Sequence, residues 1–397
     1  MMYLLSSVIG TERLPKFQQV SGYFGQAHYS WKINASLYRR ALQEIRDIKD
    51  IVAPDIYQHE LAREAAGIRN SDIHLIDKPV EHLRPLFGNK NVAIQVWEFP
   101  ELSTQSHGGD PRLNQVEMLR KMDSVWCGSS FTADTMLSYG ISAIHLPPPV
   151  SHFVIRDQED LGHIPAVRLN SLDNHPVETE DLTAVLDGRD VYLSILAPFD
   201  RRKNIVNLIK GFCESQLSEN SILLIKLVID NVGTTVGNIN DILSIHFDLK
   251  IKCQNIVFVG AYLSERQMSC LYNRASFYVS AASAEGLNLP LIEAMTLARP
   301  VIAPNNTAMR DYVSSKHAVV MEFESKTAEG PIHALHRFIE TTHFPPSTIQ
   351  VTDAFNRAGL MSRPDAASLG KRGARFVNSL FGMKAFGSRL RNFEKGL

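Results

Sequence analysis

Four cysteines in 397 residues, Cys127, Cys213, Cys253 and Cys270, are too few and too scattered for a disulfide framework, and no two form a Cys-x-x-Cys pair. They read as reduced core thiols of a cytoplasmic protein. An excess of one charge is also lacking: 41 Lys+Arg against 42 Asp+Glu leaves a net of −1. That excludes the global basic field on which non-specific binding to nucleic acid or anionic lipid depends. Long apolar runs are missing. The apolar opening, Met1 to Ile9, has no basic leader or small-residue cleavage site and is too short to cross a bilayer, and residues 222–229 are interrupted by Lys226. Any membrane contact is therefore expected to be peripheral. There is no low-complexity tract and no repeat with a period of roughly 20–50 residues. Nor does Asp-x-Asp occur anywhere, so a carboxylate pair of that spacing for holding a divalent metal is absent.

What is present is an ordinary globular composition, 44% hydrophobic, long enough for two or three domains. From residue 190 onward, short β-branched runs alternate with amphipathic stretches, the pattern of βαβ units and a parallel sheet. Strands are predicted at 191–197, 223–229, 255–259, 277–280, 301–303 and 318–321, with helices at 205–214, 239–249, 264–274, 289–297 and 309–313. The first 150 residues repeat the idea less regularly, with strands near 3–9, 73–76, 92–96, 124–127 and 144–146. After Pro345-Pro346 helix-forming sequence runs to the end, through 366–380 and 383–395. The expected organisation is a Rossmann-like domain over 1–165, a linker or insertion over 166–189, a second doubly wound domain over 190–375, and a final helix, 376–397, returning to the first. His152, His163 and His175 around the linker are irregularly spaced and joined by no cysteine, which argues against zinc.

The most informative stretch runs from Ala284 through Glu285, Gly286, Leu287, Asn288, Leu289 and Pro290 to Glu293, Ala294 and Met295. It follows a predicted strand and opens a predicted helix. Pro290 suits the first helical turn and Asn288 a cap, which puts Glu293 one turn into the helix and Glu285 in the loop at the strand's carboxyl end. Both carboxylates can then face the crevice where open α/β sheets bind ligands, beside helix N–H groups that favour anions. Gly286 allows close approach to the backbone. Two isolated glutamates with this spacing can equally be solvated carboxylates flanking an ordinary loop.

This string, with Arg299-Pro300-Val301-Ile302-Ala303 after it, resembles the Glu, seven residues, Glu hallmark of the retaining nucleotide-sugar glycosyltransferases of family 4, which have the two-domain GT-B fold. The likeness extends through the second domain, including Val257–Gly260 and 271–275, and more faintly covers 125–131 and 146–150. It implies an α/β architecture of two Rossmann-like doubly wound domains facing a central cleft, with C-terminal helices packing across the junction. It also implies that Glu293 holds the ribose hydroxyls of a nucleotide, that Glu285 contacts hydroxyls of the donor sugar, and that the backbone of Leu287, Asn288 and Leu289 binds sugar and phosphate. The phosphate-binding Lys of the family matches Lys203, within Pro198 to Asn204. The Arg that usually stands five positions earlier is replaced by Pro198, so Arg202 or Arg201 must substitute.

In the first domain, Gly22 and Gly25 form a loop that in GT-B enzymes approaches the donor phosphates, or a plain turn. Beside it, Tyr23, Phe24, Tyr29, Trp31, Lys32, Arg39 and Arg40 read either as an acceptor or lipid-facing surface or as a helix that buries its aromatics and exposes its cations. Glu98 and His107, beyond the strand near 92–96, are the acceptor-side candidates. The resulting expectation is a cytoplasmic retaining enzyme, with peripheral contact to the inner membrane face as its membrane-associated form. It would transfer a hexose from a nucleotide diphosphate sugar, foremost UDP-glucose, to a glycan or lipid-linked acceptor in polysaccharide biosynthesis, with no nucleic-acid partner and no obligatory metal or other cofactor. The alternatives are a GDP-mannose-dependent mannosyltransferase, a nucleotide-sugar 2-epimerase of the same fold, and a non-catalytic sugar-binding subunit.

Overall fold

The computed structural model describes residues 1–7, 27–106, 108–156, 161–169, 176–179, 181–228, 239, 255–327 and 339–396. The chain divides into two compact units, one of Met1–Pro149, Thr327–Thr342 and Phe381–Leu397, the other of Val150–Lys326 and His343–Leu380.

The first unit is built on six strands, β1 (Tyr3–Ser7), β2 (Ile48–Asp50), β3 (Ile73–Asp77), β4 (Lys90–Gln95), β5 (Ser124–Cys127) and β6 (Ala143–His145). Their order is β2-β1-β3-β4-β5-β6, all parallel, with Ser7 registered opposite Asp77 at the carboxyl edge. On helix Ala27–Gln43, Tyr38 is fully buried and Arg40 exposed, while Tyr23 and Phe24 and the side chains of Tyr29 and Trp31, on which the two readings offered above turn, lie outside what the structure describes. The last helix, Met383–Lys395, packs in this unit. Its Phe386 lies 6.2 Å from the Tyr38 ring and its Phe393 meets Trp126 edge-on at 5.3 Å. Glu394 accepts from the Tyr3 hydroxyl at 2.9 Å and from Arg46 Nη2 at 2.6 Å. Burial opposes the Glu394 charge, but those two donors hold its carboxyl below the usual range. Cys127 closes β5 with no exposed surface, and burial pushes its thiol far up.

The second unit carries β7 (Ala166–Leu169), β8 (Pro176–Thr179), β9 (Asp190–Leu196), β10 (Ser221–Leu227), β11 (Ile256–Val259), β12 (Phe277–Val279), β13 (Val301–Pro304) and β14 (Val319–Met321). They form one sheet in the order β14-β13-β12-β9-β10-β11-β7-β8. Parallel pairing runs from β14 to β11; β7 and β8 then add antiparallel at the edge. The stretch read as a linker thus contributes two strands, because Val167 and Leu169 are buried in the second core. Four-residue strands are too short for alternation to stand out against loop sequence. One sheet face is covered by helices Ile205–Glu214 and Thr348–Gly359 over a cluster in which Tyr192 stacks on Phe277 at 5.6 Å, with Phe355 edge-on to both Tyr192 and Phe212. Gly211 lets the two helices close, since a Cβ there would stand 2.5 Å from Val351 Cγ1. The predicted helix at 309–313 is a 3-10 turn, Thr307–Asp311, and that at 239–249 lies outside the described residues apart from Ile239. Among the described residues no helix is long and apolar enough to cross a membrane, and no disulfide joins Cys127, Cys213 or Cys270.

Candidate active site

Strand order locates the site before any side chain is considered. In the second sheet β9 lies between β10, its successor in the chain, and β12, so the direction of winding reverses between β9 and β12. Ligands of open α/β sheets bind outside the strand carboxyl ends at that reversal. The loop after β9 carries Arg202 and Lys203; the loop after β12 carries Glu285.

The two loops are knitted together. Asp200 caps the 3-10 turn Arg201–Lys203 by accepting from the Arg202 backbone N–H at 3.1 Å. Its other oxygen accepts from Arg202 Nη2 at 2.6 Å. That turn aims Arg202 inward, 7% exposed, and leaves Arg201 exposed. Arg202 Nη1 donates to the Ala284 carbonyl at 3.1 Å, while the Arg202 carbonyl accepts from the Ser283 backbone N–H at 2.7 Å. Lys203 Nζ donates to Glu285 Oε1 at 2.6 Å, and Arg202 Nη1 stands 3.9 Å from Glu285 Oε2. Glu285 is 6% exposed, whereas the Lys203 side chain keeps 21% of its surface. Arg202 therefore braces the loops, while the Lys203 side chain stays partly open to solvent.

Both loops deliver the chain into a helix through an asparagine in the left-handed region, Asn204 (φ 53°) before Ile205–Glu214 and Asn288 (φ 58°) before Leu289–Thr296. Asn tolerates that conformation better than other side chains with a Cβ. Neither amide caps its own helix. Asn204 Nδ2 turns to the Pro346 carbonyl at 2.8 Å, and Asn288 Nδ2 to Ser280 Oγ at 3.1 Å. The first N–H groups of both helices are left without a side-chain cap, the arrangement that suits an anion.

Glu293 sits one turn into its helix, partly exposed, and its Oε2 accepts from the Tyr272 hydroxyl at 2.7 Å. Burial pushes its carboxyl up to about 7, with Tyr272 opposing and Glu265 adding. Burial first, then Glu285, and more weakly Glu293, hold the phenol of Tyr278 on β12 far above its ordinary value. Gly286 and Leu287 are buried, with the Leu287 carbonyl accepting from the Tyr312 hydroxyl at 2.8 Å, and Leu289 is half-buried.

A third loop, after β13, was not singled out in the sequence. Thr307 Oγ1 accepts from the Glu285 backbone N–H at 2.9 Å, and Asn306 Nδ2 donates to the carbonyls of Ala282 and Phe344. Thr307 has φ 41°, a costly conformation for a β-branched residue. The available signal was Asn305-Asn306 directly after a strand, a turn composition. Tyr272 and His343, whose Nδ1 stands 3.3 Å from Ser283 Oγ, carried no local motif. Glu98 is half-buried in the first unit, beyond the end of β4; Gly22, Gly25 and His107 lie outside the described residues.

Residues 196–340 match the family model of glycosyl transferases group 1. In sequence the chain is 23% identical over 204 residues to the alpha-monoglucosyldiacylglycerol synthase of Streptococcus pneumoniae, an alignment covering 50% of this chain and 41% of that protein, so less than half the relative is spanned. Among solved structures it is similar to HepE of Anabaena in complex with UDP (TM-score 0.57, 10% identity, all of both chains). It is likewise similar to a glycosyltransferase of Rickettsia africae (0.57, 13%, 99% of this chain and 97% of that one) and to sucrose-phosphate synthase of Thermosynechococcus elongatus (0.53, 14%, 85% and 75%). At these identities the structures establish the fold: two Rossmann-like α/β units of GT-B type. The likeness to glycosyl transferases group 1 is carried by residues 196–340, most of which belong to the second unit.

Proposed function

We propose that the chain is a retaining glycosyltransferase that moves a hexose, foremost glucose, from a UDP-sugar to a glycan or lipid-linked acceptor. The observation that carries this is the Lys203–Glu285 contact at the strand reversal, braced by Arg202 and set beside two helix starts without side-chain caps. Such a site meets the two demands of a sugar diphosphate, charge at the phosphates and hydrogen-bond acceptors at the hydroxyls. UDP in the Anabaena structure and the glucosylated lipid in the name of the pneumococcal relative favour this donor and acceptor.

In the free chain Lys203 is occupied by Glu285. A bound diphosphate competes for the ammonium, and the released Glu285 carboxylate turns to the sugar hydroxyls, so donor binding exchanges one ion pair for two charge-assisted contacts. As the bond to the leaving phosphate breaks, Lys203 and the helix starts stabilise the developing charge, the kind of preorganised electrostatics that dominates many enzymatic rate enhancements. The departing phosphate oxygen takes the acceptor's proton, and Glu285 positions the sugar without acting as base. Glu293 accepts from the ribose hydroxyls. These cations stand in for a metal ion, so the reaction proceeds without one.

The deciding experiment incubates the protein with UDP-, GDP- and ADP-sugars and scores thermal shift and slow hydrolysis. The proposal expects UDP-glucose to lead both readouts, unchanged in excess EDTA. Selective response to a GDP-sugar would replace the donor, acceptor-independent epimer formation would replace the reaction class, and collapse of activity on chelation with rescue by Mg²⁺ or Mn²⁺ would remove the metal-free mechanism.

A further inference from the structure

Asp77 closes β3 in the first unit, and Asn34 lies on helix Ala27–Gln43; both are buried, at 0% and 3% exposure. Asn34 Nδ2 donates to Asp77 Oδ2 across 3.3 Å. The two remaining oxygens, Asp77 Oδ1 and Asn34 Oδ1, are sealed from solvent and have no hydrogen-bond partner among the described residues. An ionised Asp77 would therefore be a buried carboxylate with one long N–H bond and, among the described residues, no ion pair, beside an amide oxygen left bare.

A single proton resolves both defects, because the two bare oxygens belong to the same pair. A carboxylic acid and a primary amide joined by one N–H···O bond close a ring when the acid O–H donates back to the amide oxygen. We propose that Asp77 enters the fold as the neutral acid and forms with Asn34 a two-point acid–amide clasp that seats helix Ala27–Gln43 at the carboxyl edge of β3.

That edge is the first sheet's own reversal point. The order β2-β1-β3 changes direction between β1 and β3, and Ser7 at the end of β1 is registered opposite Asp77. A doubly wound sheet takes its ligand above that point. Since its oxygens are sealed, the clasp acts through the helix it holds, making Asp77 and Asn34 positioning residues. The inference concerns the first unit alone and stands independently of the donor-side reading.

The titratable groups around the pair agree. Burial opposes ionisation of Tyr38 on the same helix, whose other charged or titratable neighbours besides Asp77 are Cys127 of β5 and Arg389 of the last helix. His74 on β3 is held neutral by burial, its pKa lowered to about 4, and Lys78 beyond β3 is itself pushed down by burial and Arg84. Burial raises the Asp77 carboxyl well above its ordinary value, with Asn34 opposing. For an acid raised on folding, the native chain holds a proton the unfolded chain releases. Its stabilising share is complete below the unfolded value and is lost as pH rises through the folded one.

Asp77→Asn places an N–H where the acid carried its O–H, keeping both bonds without a titrating proton. Melting temperatures of wild type and this variant, followed from about pH 5 to about pH 9, should diverge with pH by the slope of one proton, the wild type falling relative to the variant. Asp77→Ala should lie below both throughout. Parallel curves for wild type and Asp77→Asn, or an alanine variant as stable as wild type, would overturn the clasp. Carbon-13 NMR of wild-type protein labelled at the aspartate carboxyls tests it without any variant: one neutral carboxyl should persist at neutral pH, and full ionisation of every aspartate would sink the proposal.

Discussion

Lys203 and Glu285 hold each other at 2.6 Å in the free chain, so neither has a role that can be measured alone. Lys203→Ala should lower turnover by about 10²–10³-fold, equivalent to about 3–4 kcal/mol of transition-state stabilisation. Glu285→Gln should also cut transfer steeply while leaving UDP affinity within a few-fold. Because the two share one contact, the double variant should lose much less than the sum of the single losses, as a double-mutant cycle on hydrolysis rates will read out. Additive losses would show that the ion pair is incidental. Glu293 answers to pH. Its carboxyl is raised to about 7 by burial, and the proposed ribose contact needs the ionised form, so under that proposal UDP affinity should rise as pH increases through 7. Glu293→Gln should flatten that dependence, and Glu293→Ala should weaken UDP by roughly 1.5–3 kcal/mol. Calorimetric titration at several pH values separates these outcomes; a wild-type affinity flat across that range refutes the ribose assignment.

Two helices of the second unit begin at left-handed asparagines, and this backbone choice is what leaves their amides uncapped. Replacing Asn204 or Asn288 by Ala should cost about 1–2 kcal/mol of unfolding free energy, with Gly recovering the backbone share, as chemical denaturation would measure. At the helix crossing, Gly211→Ala should cost about 1–3 kcal/mol through overpacking against Val351, with no effect on nucleotide affinity. How far the sequence speaks at this scale follows from the same particulars. Pro290, Asn288 and the Glu spacing gave the helix start and the position of Glu293, because helix-boundary residues and first-turn prolines are local signals, although Asn288 marks the boundary by its left-handed backbone and not by a side-chain cap. Arg201 and Arg202 could not be told apart, since only the Asp200-capped turn decides which side chain faces inward. The Thr307 loop escaped notice because its contact with Glu285 spans 22 residues and leaves no periodic trace. Strands β7 and β8 escaped because they become legible only when β11 supplies an edge.

On the scale of the whole chain, the two α/β units were legible from alternating runs, but neither is a contiguous piece of sequence. Residues 327–342 and the last helix belong to the first unit, while 343–380 belong to the second. Deleting 382–397 strips Phe386, Phe393 and Glu394 from the first unit and should abolish or sharply lower its calorimetric transition while the second unit's transition persists. Simultaneous loss of both would show that the units do not unfold separately. The placement of the cysteines gives such experiments a built-in clock. Cys127 lies in the first unit, fully buried with its thiol far from ionising, and Cys213 and Cys270 lie in the second. Only the thiolate reacts with an alkylating reagent, so Cys127 is modified no faster than its surroundings open. Mass-spectrometric labelling rates at Cys127 and Cys270 therefore time the local opening of the two halves within one unaltered chain.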